Sequence, residues 1–391
     1  MAKKKKPAKK KNLAKKPPPT GTKANANSGA TPKSAKPIAA LRRELDRLDG
    51  EILDALNRRA KIAQTIGNAK QENTQPVYDP KREAKVIQHA VKKNDGPLND
   101  QSIRAIFREV VSGSRAVQAP TQVAYLGPEF TFSHLAALEQ FGESTELIPV
   151  ATISTVFEQV ERGQAEFGVV PMENSTDGRV TDTLDCFSRS SLRICGELPL
   201  RIHHCLMGIG RQNELEIIHS KPQALSQCRN WLAKHLPSAA PRAVGSTAEA
   251  AVSAQANPRI AAVGSERAAV HYDLTILARN IEDNPHNITR FAVIGMVPAA
   301  RTGADKTALM FEIPHQPGAL ADTMNVFKRN KLNMTWIESF PIPGSQGRYL
   351  FFVEFVGHQK DLHSRKAIAS IEKKSVRLEV LGSYAQVEPI G

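Results

Sequence analysis

The chain has 391 residues, of which 41% are hydrophobic and 24% charged, with a formal net charge of +14. Single hydrophobic cores stop growing near about 250–300 residues, so two or three domains are expected. Residues 1–37 alone hold 12 Lys and no acid, which leaves 41 basic against 39 acidic residues, or +2, for the remainder and excludes a strongly basic folded part.

That Lys-rich stretch has six prolines and no aromatic residue. It cannot bury enough apolar surface to offset chain entropy, so residues 1–37 read as a disordered tail with weak, non-specific contact to polyanions as its partner chemistry. No apolar region follows the lysines, so no secretory signal is read, and the absence of arginine argues against a transit peptide. No run approaches the roughly 18 apolar residues of a membrane span. Cys186, Cys195, Cys205 and Cys228 lack C-x-x-C spacing and sit in apolar segments. They read as reduced and buried, which suits a cytoplasmic setting.

Residues 38–118 read as helix. Leu41, Leu45, Leu48, Ile52, Leu56, Ile62 and Ile66 keep spacings near three and four. "NTQPVYDP" breaks the pattern, and Asp79 before Pro80 is an N-cap and first-turn signal for a second helix ending near "KNDGP". A third helix is expected from Asp100 to about Gln118. Three helices bury little by themselves, so a homodimer or higher homo-oligomer is expected. Arg59 and Lys70 lie 11 residues apart, about 20° in helical phase and about 16 Å along the axis, close enough to grip one small anion between them. Arg42 is 17 residues from Arg59, about 25 Å away, and could serve only the site of another copy. Ser114 and Gln118 share a face, as do Asp79 and Glu83. Spacing alone favours a solvated amphipathic helix over an anion site.

The pattern "LRRELDRLDGEILDALNRRAKIAQTIGNAK", then "VYDPKRE", then "IFREVVSGSRAVQ" resembles the all-helical chorismate mutases across essentially all of 41–118. The resemblance implies an intertwined dimer in which one arginine of each site comes from the other chain. It also implies rearrangement of chorismate to prephenate. Catalytic positions carried over are Arg42 and Arg59, with Arg82 or a neighbour, on the carboxylates, and Lys70 and Gln118 on the ether oxygen. Glu83 and Asp79 match the hydroxyl and helix-start positions, and Ser114 the remaining polar contact. Such a reaction needs orientation and placed charge, with no nucleophile.

"APTQ" marks a linker, after which short apolar segments ("VAYLG", "FGVVP", "RIHHCLMGI", "IAAVGS", "FAVIGMV") alternate with helices over 122–299. An α/β domain with a largely parallel sheet is predicted. Polar clusters flank its strands: "YLGPEFTFSH", "VPMENSTDGRV", "SKPQALSQC" and "HNITRF". Open α/β sheets bind ligands at strand carboxyl ends, although each cluster alone could be a capping turn. Strand alternation places His203 and His204 on opposite faces, which argues for a structural role rather than a catalytic pair.

Together the four clusters resemble prephenate dehydratases. The resemblance implies two α/β lobes, periplasmic-binding-protein-like, around a cleft, and conversion of prephenate to phenylpyruvate with loss of carbon dioxide and water. It makes Thr289 the catalytic candidate, polarising the departing hydroxyl. Thr131, Ser133, Asn174, Ser175, Thr176, Gln223, Arg290 and Phe291 become substrate-binding positions, with Arg290 supporting either a carboxylate or the Thr289 loop. Phe130 stands where the family carries glycine, and Lys221 where histidine is usual.

After "PAARTGADK", residues 306–388 read strand, helix, strand, strand, helix, strand, an α+β ferredoxin-like order. "PGAL" and "NMTWIESFP" resemble the amino-acid-sensing ACT domain. This implies L-phenylalanine as effector, with Gly318, Ala319, Leu320, Asn333, Glu338 and Ser339 as regulatory positions. Phe340 replaces the usual arginine. The three resemblances are jointly those of bifunctional chorismate mutase–prephenate dehydratases with a C-terminal ACT domain, acting in L-phenylalanine biosynthesis. No metal or redox cofactor is implied. A non-catalytic two-lobed small-molecule sensor is the alternative.

Overall fold

The computed structural model describes residues 37–73, 76–342 and 348–390. The expected Lys-rich tail lies outside the described residues, except for Pro37. Helix α1 (Ile38–Glu72) has 35 residues. The chain divides into two compact units at Asp54/Ala55. In the first, Leu41, Leu45, Leu48 and Ile52 keep helical spacing but all stand exposed.

In the second unit, α1 continues to Glu72, followed by α2 (Pro80–Lys93) and α3 (Asp100–Ala116). The Asp79 carboxylate accepts from Arg82 N at 2.9 Å, and Asn99 Oδ1 from Ser102 N at 2.8 Å, so each helix begins on a side-chain cap. Gly67 permits the close approach of α1 to the end of α3: a Cβ there would lie 2.8 Å from Gln118 Cβ and 3.0 Å from Gln118 Cα. Backbone must shift to accept a methyl group, so Gly67→Ala is expected to cost about 1–3 kcal/mol. Denaturant unfolding measures this, and an unchanged midpoint would contradict the tight contact.

Buried Arg115 ties α2 and α3 to the α/β region. Its guanidinium meets both Glu83 oxygens at 2.8 Å, Thr145 Oγ1 at 2.9 Å and the Phe141 carbonyl, and lies over the Tyr78 and Phe141 rings.

The α/β region opens with β1 (Gln122–Leu126), α4 (Phe132–Phe141), β2 (Glu146–Val150) and α5 (Ile153–Glu161). It continues through β3 (Phe167–Asn174), β4 (Gly178–Arg179), α6 (Thr181–Arg189) and β5 (Arg193–Arg201). A second sheet is built from β6 (Cys205–Gly208), β7 (Ile217–Ser220), α7 (Pro222–Gln227), α8 (Arg229–His235) and β8 (Ala240–Ala243). It is completed by α9 (Thr247–Ala256), β9 (Ile260–Gly264), α10 (Glu266–His271) and β10 (Thr275–Ala278). The chain then returns to the first sheet as β11 (Ile288–Gly295). Sheet orders are β2-β1-β3-β11-β5, with β4 on β3, and β10-β6-β9-β7-β8.

A largely parallel sheet was expected, yet both sheets are mixed. Returning from the second sheet, β11 enters antiparallel to both β3 and β5, while β1 is parallel to β2 and β3. The expected strand "RIHHCLMGI" is also interrupted, because Ile202–His204 carry the chain from one sheet to the other. The two histidines do diverge. His203 Nδ1 meets Glu282 Oε1 at 2.7 Å near the surface, while His204 is buried.

The C-terminal segment is β12 (Asp305–Glu312), α11 (Ala319–Arg329), β13 (Met334–Pro341), β14 (Tyr349–Val356), α12 (Leu362–Glu372) and β15 (Arg377–Ala385). Its sheet, ordered β13-β14-β12-β15, is antiparallel throughout. One core cluster spans this sheet and the first one, joining Val170, Met172 and Ile294 to Met310, Phe340, Phe352 and Tyr384.

Candidate active sites

In the helical region the structure brings Arg59 to Ser114. The Arg59 guanidinium donates to Val110 O at 3.0 Å and to the Ser114 hydroxyl. Arg59 and Arg82 line a cavity of about 800 Å³ with Lys85, His89 and Lys93. Burial pulls the Arg59 pKa down, the Arg82 charge adds to this, and Glu83 opposes it. So much unneutralised cation in one concavity suits an anionic ligand. Burial raises the Glu83 carboxyl while Arg115 works the other way. Glu83 is thus held by a buried arginine that the sequence reading did not single out.

Lys70 and Asp79 line a different cavity, about 540 Å³, with Tyr78, Pro80 and Phe167. Lys70 Nζ donates to Val77 O at 2.9 Å, so Lys70 does not share the cavity lined by Arg59. Gln118 Nε2 donates to Ser114 O at 3.0 Å, while its buried Oε1 has no partner among the described residues. Arg42 belongs to the first compact unit.

In the first α/β sheet, β1 and β3 run parallel and β11 runs against them, so the ends of β1 and β3 and the start of β11 share one edge. Thr289 sits there. Its Oγ1 accepts from Asn174 Nδ2 at 2.8 Å, and Asn174 Nδ2 also reaches Asn287 Oδ1 at 3.0 Å. Thr176 Oγ1 donates to Asn287 Oδ1 at 3.2 Å, and Ser175 Oγ accepts from Ile288 N at 2.9 Å. The hairpin therefore clasps the start of β11. From the second sheet, Gln223 and Gln227 donate to Asp177 Oδ2 at 2.5 and 2.7 Å.

Sequence reasoning named Thr289, Asn174, Ser175, Thr176 and Gln223, and the structure gathers these. It passed over Asn287, Asp177 and Gln227. Gln227 was readable, since it lies four residues after Gln223 on one helical face. Thr131 caps α4, with its Oγ1 2.9 Å from Pro128 O, and Ser133 is buried in the first turn. Neither is hydrogen-bonded to the Thr289 group. Phe130 holds φ +62°, the left-handed region that favours glycine, with its ring stacked on His271. Lys221 precedes α7 at the cap position and makes no side-chain cap bond.

Arg290 and Phe291 require correction as substrate-binding positions. Arg290 projects away from Thr289 into a buried acidic group, meeting Glu173 at 2.9 Å, Glu197 at 3.0 Å and Glu354 at 2.6 Å. Burial disfavours its charge, but Glu354, Tyr384 and Glu197 outweigh that and hold its pKa above the ordinary value. Lys306 joins Glu197 at 2.7 Å, and Tyr384 Oη donates to Glu354 Oε1 at 2.6 Å. With three protein carboxylates around it, Arg290 anchors the C-terminal segment to β11. Phe291 is core, packed with Tyr125, Leu198 and Val293.

Of the expected regulatory residues, Gly318 (φ +82°), Ala319 and Leu320 line a cavity of about 570 Å³ with Pro314, Tyr349 and Phe351. Glu338 lies elsewhere. Its Oε2 accepts from Arg179 Nη1 at 2.8 Å, as does Ser339 O at 3.2 Å, linking β13 to the hairpin that bears Asn174. Asn333 offers its carbonyl to Val356 N. Phe340 is buried in the core shared with the first sheet.

A family model for chorismate mutase type II matches residues 41–119, and one for prephenate dehydratase matches 123–298. A bifunctional chorismate mutase/prephenate dehydratase of Pseudomonas aeruginosa is 41% identical over 355 residues, 89% of this chain and 97% of that protein. The solved prephenate dehydratase of Arthrobacter aurescens, in complex with L-Phe, is 33% identical with a TM-score of 0.64. It covers 68% of this chain and 90% of that one. A solved protein described as a novel type of quorum quenching acylase is 30% identical with a TM-score of 0.62, covering 68% and 98%. Fold alone does not name a reaction.

Proposed function

The chain belongs to the bifunctional chorismate mutase/prephenate dehydratases, and from that premise we propose how its parts divide the work. It rearranges chorismate to prephenate and converts prephenate to phenylpyruvate in phenylalanine biosynthesis. We assign the first reaction to residues 38–118, the second to 122–299, and effector binding to an ACT domain over 306–388.

In the mutase, no bond to the protein forms. Arg59 and Arg82 hold the carboxylates, while Lys70 and Gln118 stabilise negative charge on the ether oxygen as its C–O bond breaks. The Gln118 amide nitrogen gives one proton to Ser114 O at 3.0 Å and has a second to donate. Arg42 comes from a second copy, and the exposed leucines and isoleucines of α1 are the surface that copy covers. A homodimer is the working form, in the cytoplasm.

In the dehydratase, the carboxylate–ring bond breaks and its electron pair flows into the ring as the ring hydroxyl leaves. The departing oxygen takes up one proton from solvent acid, so the prephenate dianion plus one proton gives the phenylpyruvate anion, carbon dioxide and water. Thr289 donates a hydrogen bond to the departing oxygen. It is too weak an acid to surrender its proton outright. The observation that carries this reading is the Asn174–Thr289 bond at 2.8 Å, at the sheet edge where α/β folds bind ligands.

The Gly318 cavity is assigned to L-phenylalanine, whose carboxylate meets the first turn of α11, which has no side-chain cap. The L-Phe complex of the Arthrobacter relative supports L-phenylalanine as the ligand. Purified protein given chorismate should yield prephenate and then phenylpyruvate. Titrating L-phenylalanine should inhibit phenylpyruvate formation at or below roughly millimolar concentration, the usual metabolite range. No response at that level removes the regulatory assignment. No product at all removes the enzymatic one.

A further inference from the structure

Asn174 has four hydrogen-bonding capacities, and all four are occupied by protein. Its Oδ1 accepts from Thr176 N at 2.9 Å and Asp177 N at 3.1 Å. Backbone N–H can only donate, so these two contacts fix which end of the amide is oxygen. The Nδ2 protons then go to Asn287 Oδ1 and Thr289 Oγ1. Asn174 keeps nothing for a substrate, contrary to its expected binding role. Thr289 oxygen is thereby an acceptor, and its own proton is engaged by no described residue.

We propose that Asn287 is a positioning residue for the dehydration: by taking one amide proton of Asn174, it keeps the other on Thr289. The hydroxyl proton of Thr289 is then left for the departing oxygen of prephenate. Asn287 is well placed for this, being 2% exposed. Its Nδ2 donates to Gln227 Oε1 at 3.0 Å, which also meets His204 Nε2 at 2.9 Å. Gln227 Nε2 is committed to Asp177 Oδ2, so its Oε1 can only accept, and His204 Nε2 carries a proton toward it. The polarity of the chain is thus set from His204 to Thr289. This inference rests on the dehydratase reading above.

The test compares Asn287→Leu with Asn287→Asp. Leucine removes the acceptor facing Asn174, while aspartate keeps it and loses only the donor to Gln227. The leucine variant should lose roughly 10- to 100-fold in dehydratase kcat with KM little changed, and the aspartate variant should lose less. Conversion of chorismate to prephenate should be unaffected in both. A purely packing role orders the two the other way, because leucine fills the space without burying a charge. Leucine activity equal to wild type, or at least equal to aspartate, overturns the proposal.

If thermal unfolding shows that the leucine variant no longer folds, Asn174→Asp decides. It turns an acceptor toward Thr289, draws the hydroxyl proton to itself and should lower kcat similarly; unchanged kcat overturns the proposal. A wild-type chain inactive on prephenate overturns the dehydratase reading and this inference with it. An active wild type with unaffected variants overturns the inference alone.

Discussion

Thr289→Ala is expected to lower dehydratase kcat by about 10²–10³-fold, the range seen when a donor to developing negative charge is removed. KM for prephenate should change much less, because the hydroxyl acts on charge that appears as the C–O bond breaks. Given chorismate, the variant should accumulate prephenate at the wild-type rate. The side chain lies at the start of β11, in a half-buried site, and its loss frees one Asn174 proton rather than opening a core cavity. Unfolding midpoints should therefore stay near wild type. A variant that loses both activities would mean that Thr289 acts through the fold.

Lys70→Ala is the counterpart. Loss of the ammonium should reduce mutase kcat by about 10²–10³-fold, since placed charge is nearly all that a pericyclic rearrangement asks of a protein. Dehydratase activity on added prephenate should stay within about twofold, because that site lies among the α/β strands. Lys70 Nζ donates to Val77 O, and Lys70 lines the 540 Å³ cavity instead of the one lined by Arg59. For both residues to hold one ligand, Lys70 must leave that carbonyl. If the variant retains full mutase activity, the ether-oxygen role assigned to Lys70 is wrong.

Much of this arrangement was legible in local chemistry. The three helices follow from apolar spacing and from the Asp79–Pro80 cap, and the βαββαβ order of the C-terminal segment follows from its alternating runs. Phe130 stands out by its place at a glycine position, and its φ of +62° supplies the reason. The direction of β11 was not legible, because no local pattern records that the chain has crossed to a second sheet and returned.

For Arg290 the sequence left a substrate carboxylate and a structural role both open, for a similar reason. A cation beside a candidate catalytic threonine invites an anionic ligand, but its partners Glu173, Glu197 and Glu354 lie 117, 93 and 64 residues away in sequence. Only the packing of the C-terminal sheet against the first one brings Glu354 in. Glu338 illustrates the same limit, since its ion pair with Arg179 spans 159 residues. Helical phase put Arg59 and Lys70 within about 20°, yet phase says nothing about which carbonyl a long side chain prefers. Asn287 stood in plain view within "HNITRF". Its role emerges only when the amide of Asn174 is traced atom by atom.

The central claim is that one chain carries two separable active sites, one needing Lys70 and the other Thr289. Mixing purified Lys70→Ala and Thr289→Ala proteins with chorismate tests it most directly. Each variant alone should form little or no phenylpyruvate, and the mixture should restore it, because prephenate released by the Thr289→Ala chains is dehydrated by the Lys70→Ala chains. A mixture as inactive as either variant alone would contradict the account.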